Sequence, residues 1–298
     1  MAPPDRKQAS DFPPEVLELF DGYVHNAVSR RDFLTRAAKY AVGGMTALAM
    51  LESLQPNFAW AEQVDKSDER IKTEYLTYKS PKGSGEMKGY LARPAKTRGK
   101  QPGVVVIHEN RGLNPYIEDV ARRLALHDYI AFAPDALTPL GGYPGDEEKA
   151  RELFSKLDAG KRTEDLIAAA EYVRARRDVT KKIGAVGFCF GGATCNMLAS
   201  RLPWLAAAVP FYGSGLSADE AKTIKAALQL HFAATDERVN ATWPAYEAAL
   251  KANKVRYEAH TYPNTQHGFH NDTTPRYDQQ AAKRAWARTL GFFMQHLR

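Results

Sequence analysis

A cysteine between glycines, an aspartate just past an apolar run and a histidine in a late loop are the residues of this chain whose types and order could carry chemistry together. The first lies in Ile183-Gly184-Ala185-Val186-Gly187-Phe188-Cys189-Phe190-Gly191-Gly192, an apolar strand pattern running through Gly-x-Cys-x-Gly into a helical pattern. A nucleophile held at such a junction takes a strained backbone conformation, and flanking glycines let strand and helix pass closely. At the start of the following helix a thiol also feels the positive end of the helix dipole, which favours its thiolate. Cysteines are often just small buried residues, but the strand, elbow and helix around Cys189 point to a nucleophile. Cys195 lacks that context and reads as core packing.

A thiolate nucleophile needs a base, and the chain order that accompanies a strand-end elbow is nucleophile, then acid, then histidine. Asp236 follows the apolar run Leu228–Ala234, where a carboxylate past a strand end can reach a histidine. A turn or helix-capping role is the competing reading for an aspartate there. His267 stands in Pro263-Asn264-Thr265-Gln266-His267-Gly268-Phe269-His270, in a loop before the last helix. Of the two histidines His267 is favoured over His270, because it comes first after the loop and Gly268 leaves room beside it.

These residues need a scaffold, and the remainder of the sequence supplies its pattern. Short β-branched runs alternate with helical stretches from about Glu62 onward, which argues for βαβ units and a mainly parallel sheet. The expected strands are Glu74–Tyr78, Gly89–Arg93, Val104–His108, Ile130–Ala133, Ile183–Phe188, Ala207–Tyr212, Leu228–Ala233 and Tyr257–Tyr262. The expected helices are Tyr116–His127, Glu147–Leu157, Thr163–Arg174, Gly192–Arg201, Trp243–Ala252 and Tyr277–His296. No helix separates the first two strands, so they should form an antiparallel hairpin at a sheet edge. The fold class is α/β, a doubly wound sheet with helices on both faces, in one domain over residues 62–298.

Composition removes several alternatives. With 298 residues, 44% apolar and 26% charged, the chain is ordinary globular protein. From residue 62 on, 35 Lys/Arg stand against 28 Asp/Glu, intermixed and without a basic block, which reads as solvated surface and not a nucleic-acid footprint. Cys189 and Cys195 would lie about 9 Å apart along a helix, beyond the roughly 7 Å a disulfide spans, so both are expected to be free thiols. No His/Cys set has structural zinc spacing.

Residues 1–61 read differently. Ser29-Arg30-Arg31-Asp32-Phe33-Leu34 precedes an apolar, small-residue stretch from Ala37 to Leu51, then Pro56 and Ala59-Trp60-Ala61. This resembles a twin-arginine export signal cleaved after Ala61, with passage through the export machinery to a periplasmic or secreted location as its consequence. The competing reading is a helix retained on the protein. The apolar stretch is shorter than the roughly 18 residues of a membrane span, so no permanent span is expected.

Around Cys189, Asp236 and His267 the chain resembles the dienelactone hydrolase (carboxymethylenebutenolidase) family, from about Glu74 to Arg298. The resemblance implies an α/β-hydrolase fold, a Cys–Asp–His triad and hydrolysis of a small ester or lactone without cofactor or metal. Val104-Val105-Val106-Ile107-His108-Glu109-Asn110-Arg111-Gly112-Leu113-Asn114 is similar to the family segment whose glutamate contacts the resting nucleophile and assists its ionisation. By that match Glu109 takes the role, with a carboxylate paired to Arg111 as the alternative. Cys189 would attack the carbonyl, the amides of Phe190 and Asn110 would hold the oxyanion, and His267, oriented by Asp236, would activate water on the thioester. One departure concerns the substrate: family members that hold a substrate carboxylate use two arginines, and one of those positions is Asn271 here. The other falls near Ala150 and Arg151. Arg276 or Arg111 could supply the charge instead. A non-catalytic binding protein and a peptidase on the same fold are the competing functions, and a thiol redox protein would need a resolving cysteine that is absent.

Overall fold

The computed structural model describes residues 7–41 and 45–298. Eight strands form one sheet: β1 (Ile71–Ser80), β2 (Gly85–Pro94), β3 (Gln101–Ile107), β4 (Ile130–Pro134), β5 (Val179–Phe188), β6 (Ala207–Phe211), β7 (Ala227–Ala233) and β8 (Tyr257–Tyr262). They lie in the order β1-β2-β4-β3-β5-β6-β7-β8. β1 pairs antiparallel with β2, and β2 antiparallel with β4. From β4 to β8 every pairing is parallel. The hairpin expected at the edge is therefore present.

The helices are α1 (Pro14–Val24), α2 (Arg30–Ala37), α3 (Ala47–Leu54), α4 (Pro115–Ala125), α5 (Glu147–Ser155), α6 (Ala159–Ala175), α7 (Phe190–Arg201), the short α8 (Ala218–Ala221) and α9 (Glu237–Asn240), α10 (Trp243–Ala252) and α11 (Gln279–Leu297). Side chains alternate across a strand, and β3 shows why the sheet is covered twice. Val104 and Val106 pack with α4 and α11 on one face, while Val105 and Ile107 pack with α6 and α7 on the other. A strand buried on both sides has to be apolar throughout, which is the pattern of residues 104–107.

The N-terminal helices have a small core of their own, built from Phe12, Val16, Phe20, Phe33, Leu51 and Leu54 among others. Ser29, directly before the paired arginines, caps α2 by accepting from the Asp32 amide at 3.1 Å. Residues 57–64 then lead into the main body. The Asn57 amide donates to the Thr273 carbonyl at 2.8 Å, Ala61 is fully buried in the main core, and Val64 bonds Asp119 and Arg122 of α4 at 2.9 and 2.8 Å.

Candidate active site

Parallel strands of an open sheet deliver their C-terminal ends to one edge, where ligands bind. Here β3 delivers Glu109, β5 delivers Cys189, β7 delivers Asp236 and β8 delivers His267. Cys189 sits at φ 55°, ψ −112°, a region that non-glycine residues rarely adopt. Its amide donates to the Phe211 carbonyl on β6 at 3.0 Å, which pins the turn. The neighbouring glycines are sterically required. A Cβ on Gly187 would meet the Gly191 carbonyl at 2.2 Å, and one on Gly191 the Ile107 carbonyl at 2.2 Å.

Asp236 does two jobs. One carboxylate oxygen accepts from the Val239 amide at 3.3 Å, capping α9, and the other accepts from His267 Nδ1 at 2.5 Å. Capping and histidine orientation, which compete as readings of the sequence, coexist because a carboxylate has two oxygens. With Nδ1 committed, the buried His267 Nε2 is left for Cys189, the two residues' ligand atoms lying within 4.8 Å of each other. His270 is engaged elsewhere: Nδ1 meets the Tyr116 hydroxyl at 2.7 Å, and the ring stacks on Phe188 behind the site. Burial holds it well below its ordinary pKa, so it stays neutral.

Electrostatics favour an ion pair. Burial pushes the Cys189 thiol up, but the charges of His267 and His25 and the His25 hydrogen bond outweigh it and hold the thiol well below its ordinary value. Burial pulls His267 down, and the thiolate together with Asp236 more than reverses this, pushing it up to about 10. Cys195, by contrast, is buried without such partners and is driven upward. Both cysteines are free thiols.

Glu109 accepts from Asn271 Nδ2 at 2.8 Å. Burial first, and then the charge of Cys189, raise its pKa, so thiolate and carboxylate oppose one another's ionisation. Asn271, at the position where the resemblance leads one to expect an arginine, thus anchors Glu109. The Asn110 side chain donates to the Val24 carbonyl at 2.8 Å. Phe190 is the first residue of α7, and an amide there has no intrahelical acceptor. Arg111 and Arg276 both line the small pocket over Cys189. Each is already paired, Arg111 with Glu147 at 3.7 Å and Arg276 with Asp21 at 3.2 Å. Ala150 is buried in α5, and Arg151 pairs with Glu148 and packs over the Tyr23 ring.

The residue the sequence did not reveal is His25. Its Nε2 lies 3.3 Å from Cys189 Sγ, and its ring meets that of His267 edge-on at 4.8 Å. Phe20, Val24, Gln55 and Pro56 join it in lining the pocket. The ligand atoms of His25, Cys189 and His267 all lie within 4.8 Å of one another, a constellation that linear spacing could not show because 164 residues separate the first two.

The strand order, the elbow at Cys189 and the arrangement of helices define an α/β-hydrolase fold. The structure is similar to a crystal structure titled as a dienelactone hydrolase, marked putative, from Klebsiella pneumoniae (TM-score 0.67, 28% identity, 76% of this chain and all of that one). It is also similar to a dienelactone hydrolase-like promiscuous phosphotriesterase, P91, from metagenomic libraries (TM-score 0.66, 26% identity, 77% and 100% covered). In sequence it is 32% identical over 246 residues to a Synechocystis protein named "Putative carboxymethylenebutenolidase", covering 76% of this chain and 98% of the relative. It is 60% identical over 114 residues to "Putative hydrolase fragment YghX" of Escherichia coli, covering 38% of this chain and 97% of that fragment. The model of the dienelactone hydrolase family matches residues 87–297, and the chain belongs to that family. It is accordingly a hydrolase acting on ester bonds of small molecules. A second model, described as YqhI-like, matches residues 3–39. No helix among the described residues is long and apolar enough to cross a membrane.

Proposed function

We propose that the protein hydrolyses a carboxylic ester or lactone through a thioester on Cys189. The observation that carries this reading is the thiolate-favouring environment at a strained elbow, with a buried His267 whose Nδ1 is fixed by Asp236 at 2.5 Å. Cys189 attacks the carbonyl carbon, and the amides of Phe190 and Asn110 receive the oxyanion, each such donor being worth about 3 kcal/mol in other enzymes. Collapse breaks the C–O bond, and the departing alcohol oxygen takes a proton from the imidazoles that face the sulfur. Once the thiolate charge is spent in the thioester, His267 loses the partner that holds its proton, releases it, and draws one from the water that attacks the thioester. Glu109, adjoining the nucleophile and sharing its electrostatic field, tunes thiolate formation as substrate displaces charge in the pocket.

An acidic substrate group would have to compete with Glu147 for Arg111 and with Asp21 for Arg276, which favours a neutral ester or lactone over a carboxylate-bearing dienelactone. The test is a hydrolysis screen over p-nitrophenyl esters, alkyl esters, lactones and dienelactone with Cys189→Ala as control. Turnover abolished in the variant supports the reading. Turnover retained removes Cys189 as nucleophile, and absence of turnover on every ester favours a binding role for the fold.

A further inference from the structure

Two Asp–His pairs converge on one sulfur. The first is Asp236–His267 from the sheet. The second is Asp21–His25, which comes from the end of α1: His25 Nδ1 is 2.8 Å from the Asp21 carbonyl and 3.3 Å from its carboxylate, and Nε2 faces Cys189 Sγ at 3.3 Å. Because Nδ1 donates to Asp21, Nε2 is the nitrogen that faces the sulfur and shares a proton with it, and against the cost of burial the Cys189 charge and the Asp21 bond raise the ring's affinity for that proton. Asp21 is itself held by Arg276 at 3.2 Å, a residue of the loop that follows His267. The segment is also seated by Asn110 and Arg111, which donate to the Val24 carbonyl at the end of α1, and by Tyr23 against Glu148 of α5. The proposed cleavage site is folded into the body: Ala61 is fully buried, and the turn Phe58–Trp60 starts from the bond between Asn57 and Thr273.

We infer that the N-terminal helices are a permanent part of the active site and that Asp21–His25 is a second acid–base pair, which carries the Cys189 proton to the departing alkoxide. This rests on Cys189 being the nucleophile. In the resting thiolate the Sγ proton has already gone to the imidazoles that face it, His25 Nε2 among them, and the electron pair is on sulfur. The S–C bond forms, the carbonyl pair moves to oxygen, and on collapse the C–O bond to the alcohol breaks as that oxygen takes the proton from His25 Nε2. His25 is left neutral until thioester hydrolysis regenerates the thiolate and releases a proton with the acid, and meanwhile the acyl group remains on sulfur for water activated by His267. The Arg238 guanidinium donates to His25 Nε2 at 3.0 Å once that nitrogen has given up its proton, which stabilises the neutral ring and so promotes delivery. His25 is thereby a catalytic residue for acylation and His267 for hydrolysis of the thioester, two imidazoles on different sides of one sulfur.

The test compares two esters of one acid, an alkyl ester and a p-nitrophenyl ester, in the full chain. An alkoxide needs a proton to leave, whereas p-nitrophenolate does not. His25→Gln should slow the alkyl ester by roughly 10²-fold, the ordinary worth of a positioned acid, and the p-nitrophenyl ester by far less. Asp21→Asn should do the same to a smaller degree and serves if His25→Gln proves unfolded by its thermal melt. Equal losses on both esters, no loss, or faster turnover of both would overturn the assignment, the last by making His25 a plug. Mass spectrometry of protein from its native host showing a chain that begins at Glu62 would overturn it as well, in favour of an export signal. An inert Cys189→Ala beside an unaffected His25→Gln defeats only this inference, whereas an active Cys189→Ala defeats the nucleophile itself.

Discussion

The two walls of the site are held by different kinds of force. On the sheet side, Glu109, Cys189, Asp236 and His267 each follow a strand whose neighbours fix its register, and the elbow is locked by contacts of backbone on backbone at Gly187 and Gly191. On the N-terminal side, His25 follows an eleven-residue helix in a three-helix layer with a small core, joined to the body near the site largely through polar links at Val24, Asp21 and Tyr23. Backbone packing places reacting atoms with little freedom, whereas ion pairs and single hydrogen bonds can be exchanged for water at modest cost. Changes on the sheet side should therefore act on chemistry directly, and changes on the helical side through how well that wall is seated.

The largest effect is expected on the sheet side. Cys189→Ala should abolish ester hydrolysis, and His267→Ala should lower kcat by roughly 10³-fold or more, as removal of triad members does. The two should be told apart by a single turnover: His267→Ala releases one equivalent of p-nitrophenol and stalls as the thioester, detectable by intact-protein mass, while Cys189→Ala releases none. His270→Ala should keep acylation and deacylation rates near those of the parent wherever the fold survives. Loss of activity in His270→Ala with a near-normal His267→Ala would reassign the base.

Glu109→Gln comes next, with acylation slowed by roughly tenfold to a hundredfold while the thermal midpoint changes little. The variant keeps the shape and the bond to Asn271 and removes the carboxylate proposed to assist ionisation of the nucleophile as substrate binds; acylation faster than the parent's would show instead that its charge only opposes the thiolate. Activity equal to the parent's across the pH range would reduce Glu109 to a structural group.

The third expectation concerns pH. His267, raised from 6.5 to about 10, contributes stability that is fully present below 6.5 and is lost as pH rises through about 10. Cys189, lowered from 9.0, contributes stability that is fully present above 9.0 and is lost as pH falls through its depressed value. Between these limits the thiolate–imidazolium pair persists. Alkylation of Cys189 should thus be nearly flat from neutrality to about pH 9, where an ordinary thiol, with its pKa near 8.5, gains about tenfold per unit until it ionises. A rate that climbs through pH 8 to 9 like a free thiol's would show that the pair does not form.

How far the sequence revealed all this differs between the walls for the same physical reason. All eight strands and the six longer helices of the body fall where β-branched runs and helical periodicity put them, because a doubly covered parallel sheet demands continuous apolar runs such as Val104–Ile107. Glycines at 187 and 191 are readable because their backbone neighbours leave no space for a Cβ. The anchoring of Glu109 by Asn271 was not readable, since it joins residues 162 apart. Nor was His25: a histidine past the end of a short helix carries no local sign of a thiol that packing brings beside it, and Arg30-Arg31 ahead of small apolar residues suits an export signal and a capped helix equally well.

The smallest expected effect falls on the link that tests how the helical wall is seated. Arg276 joins the walls: it pairs with Asp21 at 3.2 Å and lies over the Phe20 ring at 5.2 Å. Replacing it with methionine keeps most of the stem that covers Phe20 and removes the charge. The lost pair is partly buried, with Asp21 side-chain exposure at 28%, so the cost should be about 1 kcal/mol and confined to the N-terminal layer. Limited proteolysis should then cut residues 12–40 a few times faster than in the parent, with the midpoint of the main body unchanged. KM should rise more than kcat falls, because Cys189 and His267 keep their backbone supports. A variant whose whole body melts early would show instead that the N-terminal helices and the sheet unfold as one unit, and that the difference between the two walls is only one of architecture.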